Sequence, residues 1–224
     1  LATPSLALAN AVRETLRIGD LVETMLSHLL QVLQGNQPAL SKELRRLDDD
    51  VDALYSAVKL YLAQVPREVL SEHDSRRWAE IIELAVNLEQ AGDIIERMLG
   101  KVQDQKTAQR HSFSDSGLEE LNSLHAQLLA NLRLGLTVFL SGDKESARQL
   151  LREKRRFRAQ ERRLAHAHVG RLHRQVVQSI ETSSLHLDLI GDMKRLNSMF
   201  CASAYAVLEA GESGALNVEE TGGE

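Results

Sequence analysis

The chain has 224 residues, a net charge of −5, 43% hydrophobic residues and only 4% aromatic residues. This length allows one large domain or two small ones, and the acidic balance gives no reason to expect a nucleic acid partner. The one cysteine, Cys201, excludes an internal disulfide and fits a reducing compartment. Because Leu, Ala, Glu, Arg and Gln predominate, the composition predicts an all-helical protein.

The first part of the sequence predicts three helices with apolar residues at helical spacing. The first begins at Ser5 and ends before Gly35, and the second begins near Pro38 and ends before Pro66. The third runs from about residue 74 to 99. Proline suits a first helical turn and glycine suits a helix end, so these boundaries have a physical basis.

The second part repeats this organisation after a predicted linker at 101–116, which is polar and has no apolar helical period. Three further helices are predicted at about 117–140, 145–172 and 175–210. The last segment, 211–224, is small, acidic and rich in glycine, and is predicted to be disordered.

The predicted fold class is therefore all-α, with six long helices in two tandem three-helix bundles, at 5–100 and 117–210. The side chains expected in the two cores are Trp78, Ile81, Leu88 and Ile95 in the first, and Leu185, Leu189, Leu196 and Phe200 in the second. No apolar run approaches the roughly 20 residues that span a bilayer.

An acidic motif recurs in the two halves. Glu89-Gln-Ala-Gly-Asp93 is similar to Asp188-Leu-Ile-Gly-Asp192, which lies 99 positions later. Acids at i and i+4 lie on one helix face and repel each other, so each pair is a candidate site for a hard cation.

The second helix carries another such pair, Asp48 and Asp52. Neighbouring helices pack about 8–10 Å apart, so these acids and the pair on helix three can converge on one cation. Helix five has no acid pair at this spacing, so the second half is expected to bind metal less well. The alternative is that all these acids are ordinary solvated residues.

Helix five instead carries a basic run of Arg152, Lys154, Arg155, Arg156, Arg158, Arg162 and Arg163. It is interpreted either as a solvated face with Glu153 and Glu161 as local partners, or as a contact for anionic lipid headgroups or an acidic protein.

No catalytic pattern is present. The sequence has no glycine-rich phosphate loop, nucleophile elbow or catalytic Cys/His signature, so no catalytic or organic-cofactor residues are predicted. His186 is interpreted as a surface neighbour of the second acidic motif, and Cys201 as a small buried hydrophobe.

Two three-helix repeats with acid-xxx-acid motifs resemble the PhoU family, whose members regulate phosphate uptake and bind metal clusters through such motifs. The basic run, the Asp188–Asn197 segment and the opening Thr3-Pro4-Ser-Leu-Ala-Leu-Ala9 look most like the PhoU-like cytoplasmic domain of bacterial sodium/phosphate cotransporters. That resemblance implies metal ligands at Asp48, Asp52, Glu89 and Asp93, and less securely at Asp188 and Asp192.

The resemblance implies a non-enzymatic regulatory domain of a sodium-dependent phosphate transporter, on the cytoplasmic side of the inner membrane. Because the sequence begins at Leu1 without Met, we expect an attached transmembrane portion; a second copy of the chain and an anionic membrane are further candidate partners. The expected metal is iron, zinc, manganese or magnesium. The alternatives are a carboxylate-cluster metalloenzyme, a free-standing regulator of phosphate uptake, and a helical scaffold without metal.

Overall fold

The structure is a computed structural model that describes residues 3–35, 37–66, 68, 70–109, 113–173, 180 and 182–209. Every regular element within these ranges is a helix. The expected start of helix six near residue 175 and the expected disordered tail at 211–224 lie outside them.

The first half forms the three helices α1 (Pro4–Gln34), α2 (Pro38–Ala63) and α3 (Glu72–Gln109). Proline occupies the first turn of α1 and α2, where no backbone N–H is needed. Gly35 follows α1 in an extended conformation, and its N–H donates to the carbonyl of Gln31.

The second half forms α4 (Asp115–Ser141), α5 (Lys144–His173) and α6 (Ser183–Phe200), and residues 203–209 are again helical. The Ser114 side chain caps α4 by accepting from the N–H of Gly117 at 3.2 Å. Gly142 ends α4 with a φ of 64°, a left-handed conformation that favours glycine.

Helix α3 continues nine residues beyond Gly100, so the predicted linker is helical over 101–109. A glycine inside a helix costs roughly 1 kcal/mol relative to alanine, and tertiary contacts offset that cost here. Val102 is buried, and Lys101 forms an ion pair with Asp192 of α6. Gln103 also accepts a hydrogen bond from Arg45 of α2 at 2.6 Å, so this segment contacts both helical groups.

The helices form two three-helix groups, α1–α3 and α4–α6, which confirms the predicted all-α fold of six helices. The groups pack against each other through α1 with α4 and through α3 with α6. One apolar core runs through both groups, with Ile18, Leu88 and Leu189 among its fully buried side chains.

Seven of the eight predicted core residues are buried, and the exception is Trp78. Its indole N–H donates to the carbonyl of Leu62 at 3.2 Å, so the ring is half-buried at the end of α2 with its polar atom satisfied. Among the described helices, none combines the length and apolar character needed to cross a membrane.

Candidate functional site

The acidic residues of α2 and α3 lie on facing sides of the two helices. Asp48 is buried at 8% exposure, Glu89 is half-buried, and both Asp52 and Asp93 are exposed. The cluster therefore extends from one buried carboxylate at the helix interface to two carboxylates in solvent.

Asp48 lies directly over Gly92. A Cβ at position 92 would be 2.9 Å from Asp48 Oδ1, closer than real Cβ atoms come to such an atom. Asp48 Oδ1 is buried and has no hydrogen-bond partner among the described residues. Glycine at position 92 thus creates the space for an acidic oxygen that no described group satisfies.

Burial and mutual repulsion raise the pKa values of three of these acids. For Asp48, burial together with the charges of Glu96, Asp52 and Asp93 raises the pKa to about 7. Burial and the Asp93 charge also raise the pKa of Asp52 and of Glu89. The cluster is therefore an electronegative region in which a cation would relieve the repulsion between carboxylates.

Sequence reasoning did not single out Glu96 and Asp49, which also act on the buried carboxyl of Asp48. Glu96 follows Asp93 by three residues and Glu89 by seven, so all three share one face of α3. Extending the acidic stripe by one more turn would have found it. Arg45 lies 3.9 Å from Glu96 and offsets part of the charge at the cluster's edge.

These residues suit a hard cation in chemistry but are not assembled around one position. Within the described ranges, no group of three or more His, Cys, Asp or Glu side chains is arranged to hold a metal ion. Magnesium, manganese and calcium accept carboxylate oxygens as ligands. Asp48 Oδ1 is such an oxygen, and it is buried without a hydrogen-bond partner among the described residues. Binding would require the exposed side chains of Asp52 and Asp93 to rotate toward Asp48.

The second acidic motif has different surroundings despite its similar sequence. Asp192 is buried at 8% exposure, and its Oδ2 lies 2.8 Å from Nζ of Lys101 on α3. Asp188 is exposed, and Gly191 has no atom within 4 Å of where its Cβ would lie. The ammonium group of Lys101, from the first half, thus neutralises Asp192. The two acidic motifs are therefore not equivalent sites.

The basic run on α5 is largely exposed, and of its two predicted local partners, Glu153 and Glu161, Glu153 contacts it. Arg156 contacts Glu153 at 2.6 Å, and Arg152 contacts Glu145 at 3.0 Å. Glu161 instead contacts Lys194 on α6 at 3.4 Å.

The interpretation of His186 as a surface residue was wrong, since only 1% of it is exposed. It stacks on His168 with ring centroids 4.7 Å apart, and its Nε2 lies 3.3 Å from Glu120 Oε2 without hydrogen-bond geometry. Arg171 binds Glu120 through two contacts of 2.6 Å. His186 lies three residues before Leu189 and seven before Met193, both buried, and this helical spacing was the signal available in the sequence. Cys201 is fully buried, as predicted.

Comparison with known sequences gives two results. The PhoU domain model matches residues 15–102. Proteins of Escherichia coli strain K12 and Salmonella typhimurium, both named "Putative inorganic phosphate export protein YjbB", are 61% identical to the chain over 209 residues. The match covers 93% of this chain and 38% of each relative, so the chain spans little more than a third of their length.

Comparison with solved structures shows the fold. PhoU from Pseudomonas aeruginosa has a TM-score of 0.81 at 15% identity, covering 91% of this chain and 96% of that one. The phosphate transport system regulatory protein PhoU from Streptococcus pneumoniae has a TM-score of 0.79 at 19% identity, with coverages of 92% and 95%.

Proposed function

We propose that the chain is a PhoU-like, non-enzymatic regulatory domain of a phosphate transport protein, since the PhoU domain model matches residues 15–102. The observation that carries this proposal is the 61% identity to part of proteins named for inorganic phosphate export. The match covers 93% of this chain but only 38% of each relative, which fits one domain of a larger polypeptide. The domain would lie on the cytoplasmic side of the inner membrane, attached to a transmembrane portion.

We further propose that the transport is coupled to sodium. The support for this is the sequence resemblance to PhoU-like domains of sodium/phosphate cotransporters.

The acidic cluster of α2 and α3 is proposed as the domain's cation site. Asp48, Asp52, Glu89 and Asp93 would bind iron, zinc, manganese or magnesium, with Glu96 adding charge at the edge. The cation would neutralise carboxylates on two helices at once and thereby hold α2 against α3. The unsatisfied Oδ1 of Asp48 and its space over Gly92 support this assignment. Asp188 and Asp192 are weaker candidates, because Lys101 already neutralises Asp192.

The test is phosphate transport by the full-length Escherichia coli relative in cells loaded with labelled phosphate. Three forms are compared: the intact relative, one lacking the segment that matches this chain, and one in which this chain replaces that segment. A regulatory domain predicts that removal changes the rate of phosphate efflux and its dependence on internal phosphate, while efflux itself persists. Replacement by this chain should restore the intact behaviour.

Two results would contradict the proposal. Efflux that is unchanged by removal would show that the segment does not regulate transport. Efflux that is lost on removal despite normal membrane insertion, and is not restored by this chain, would assign the segment an essential role that this chain does not share.

A further inference from the structure

Both described ends of the chain lie at one end of the molecule. Helices α1 and α4 are antiparallel, since Gln34 contacts Asn122 at 3.2 Å and Glu23 contacts Arg133 at 2.6 Å. Pro4 therefore lies toward the end of α4, and we call this region the Pro4 end.

The last described residues reach the same end. The Ser203 hydroxyl donates to the carbonyl of Gly135 at 3.1 Å, near the end of α4. Any polypeptide joined to either terminus of the described chain would therefore start from the Pro4 end, as expected when an even number of helices alternate in direction.

Most of the exposed large hydrophobic side chains in the described residues also lie at the Pro4 end. Leu60 is 63% exposed, Leu140 is 59% exposed and Leu6 is 53% exposed. Tyr61, next to Leu60 on α2, and Tyr205, on the helical segment 203–209, are exposed as well. The opposite end exposes Val169, Ile180 and Leu187. Several exposed apolar side chains at one end of a protein are typical of an interaction surface.

A groove of about 660 Å³ opens between the two helical groups at the Pro4 end. Its apolar floor includes Leu84, Phe139, Ala206 and Val207, which come from α3, α4 and the helical segment 203–209. The exposed Leu140 also lines the groove.

Charged groups of both signs line this groove, and one of them is held in place. Arg77 contacts Glu80 at 2.9 Å, donates to the carbonyl of Phe139 at 2.9 Å, and lies 4.2 Å from the centre of the Phe139 ring. Arg76 and Lys144 stand on the exposed rim, and Glu83 also lines the groove. The contacts of Arg77 fix its position in the groove wall. On the rim, Arg76 forms an exposed ion pair with Glu72 at 3.6 Å, and both Arg76 and Lys144 are accessible to a partner.

We propose that the Pro4 end is the docking surface for the remaining part of a longer phosphate-transport polypeptide. This inference rests on the proposed function and names the surface that function would use. The docking segment would carry apolar side chains for the groove floor and carboxylates for Arg76 and Lys144. Attachment at this same end keeps such a segment at a high effective concentration, so even a modest interface would stay occupied.

The test measures maleimide labelling of single introduced cysteines. Leu60→Cys and Leu140→Cys report on the Pro4 end, and Val169→Cys and Leu187→Cys are matched controls on the opposite end. Cys201 is buried and burial raises its pKa to about 12, so it does not interfere. Each variant is made in the 224-residue chain and in the full-length Escherichia coli relative carrying this chain in place of its matching segment, with other cysteines replaced by serine.

Docking predicts that the two Pro4-end cysteines label at least about tenfold more slowly in the full-length protein than in the 224-residue chain, as expected when a side chain becomes buried. The controls should change by less than about twofold.

Equal labelling of Leu60→Cys and Leu140→Cys in both proteins would overturn the proposal. Slow labelling of these cysteines in the concentrated 224-residue chain alone would assign the surface to a second copy. Slow labelling caused by empty lipid vesicles would assign it to the membrane, and either result also overturns the proposal.

The outcome is independent of the transport measurement. Protected Pro4-end cysteines in a protein whose phosphate efflux ignores the domain would support docking and contradict regulation. Unprotected Pro4-end cysteines in a protein whose phosphate efflux depends on the domain would support regulation and contradict docking.

Discussion

A buried carboxylate such as Asp48 lowers the stability of a fold unless a hydrogen bond or a cation satisfies it. Asp48 Oδ1 has no hydrogen-bond partner among the described residues, and its neighbours Asp52, Asp93 and Glu96 are acidic as well. If this position served only the fold, a neutral side chain here would make the folded protein more stable. Asp48 is therefore the residue on which the proposed cation site depends most.

The first prediction concerns Asp48→Asn in the presence of a chelator. The folded-state pKa is raised to about 7 from 3.8, so the unfolded state loses its proton first and stability falls as pH rises through that interval. Above pH 7 the variant should exceed the parent by roughly 1–2 kcal/mol in free energy of unfolding. Below pH 4 the two should be similar. Urea denaturation at pH 8 and pH 4 checks this, and a variant less stable than the parent at pH 8 would contradict it.

His186 presents the opposite case, a buried base. Burial, followed by the neighbouring His168, lowers its pKa to about 4, and Glu120 opposes that shift only in part. Burial also lowers the pKa of His168. The neutral forms of both rings thus fit the folded state, beside the ion pair of Arg171 with Glu120.

The second prediction follows from that shift. Because the folded pKa lies below the unfolded value of 6.5, the unfolded state takes up protons first, and stability falls as pH drops from 6.5 toward 4. By pH 5 the loss from His186 should be on the order of 1–2 kcal/mol. His186→Phe should reduce the difference in melting temperature between pH 7 and pH 5, whereas the exposed control His73→Gln should not. An unchanged difference in His186→Phe would show that other groups cause the acid sensitivity.

At the scale of helices, Gly135 marks a close crossing of α4 with the end of α6. A Cβ there would collide with the carbonyl oxygen of Phe200, which belongs to backbone and cannot rotate away. Gly100 also lies inside a helix, but no atom lies within 4 Å of where its Cβ would be. The two glycines therefore have different roles.

The third prediction compares alanine at these two positions. Gly135→Ala should lower the free energy of unfolding by roughly 1–3 kcal/mol, because it forces α4 and α6 apart. Gly100→Ala should raise it by roughly 0.5–1 kcal/mol, because alanine favours the helix and meets no obstacle. Urea denaturation of both variants measures the difference. A Gly135→Ala protein as stable as the parent would mean that the crossing is looser than the structure indicates.

The sequence predicted the helices well wherever a local signal marks their ends. Pro4, Pro38 and Gly142 mark boundaries through their own backbone preferences, and the structure has them there. The end of α3 was missed because the helix past Gly100 contacts residues far away in sequence, Arg45 of α2 and Asp192 of α6, which no local pattern contains. The same limit applies to the second acidic motif, since Lys101 lies 91 residues before its partner Asp192.

For the whole molecule, the repeated helical pattern predicted two three-helix groups and the faces of α2 and α3 that meet. It could not predict how the two groups pack on each other, because that packing joins residues far apart in sequence. The main apolar cluster, which includes residues of both groups, and the groove at the Pro4 end both depend on it.

The fourth prediction concerns the basic run on α5. Arg155 and Arg158 are exposed, and lysine or arginine near anionic headgroups contributes about 1 kcal/mol each. The 224-residue chain should bind anionic vesicles at low salt and release them at 1 M salt, where the screening length is about 3 Å. The combined Arg155→Gln, Arg156→Gln and Arg158→Gln protein should bind more weakly. Cosedimentation with the vesicles measures this binding. The matched control is the combined Arg13→Gln, Arg17→Gln and Arg46→Gln protein. If the parent does not bind at low salt, the basic run is an ordinary solvated face.

The acids of α2 and α3 are proposed to bind a metal cation more strongly than the second motif does. Calorimetric titration of the chelator-treated 224-residue chain with Mn²⁺ and with Zn²⁺ decides whether they do. The parent and the Asp188→Asn/Asp192→Asn protein should both bind, with a raised melting temperature in each. Binding should be lost in the Asp52→Asn/Asp93→Asn protein. Undiminished binding in that last protein, or no binding by the parent to either ion, would show that these acids are not the cation site.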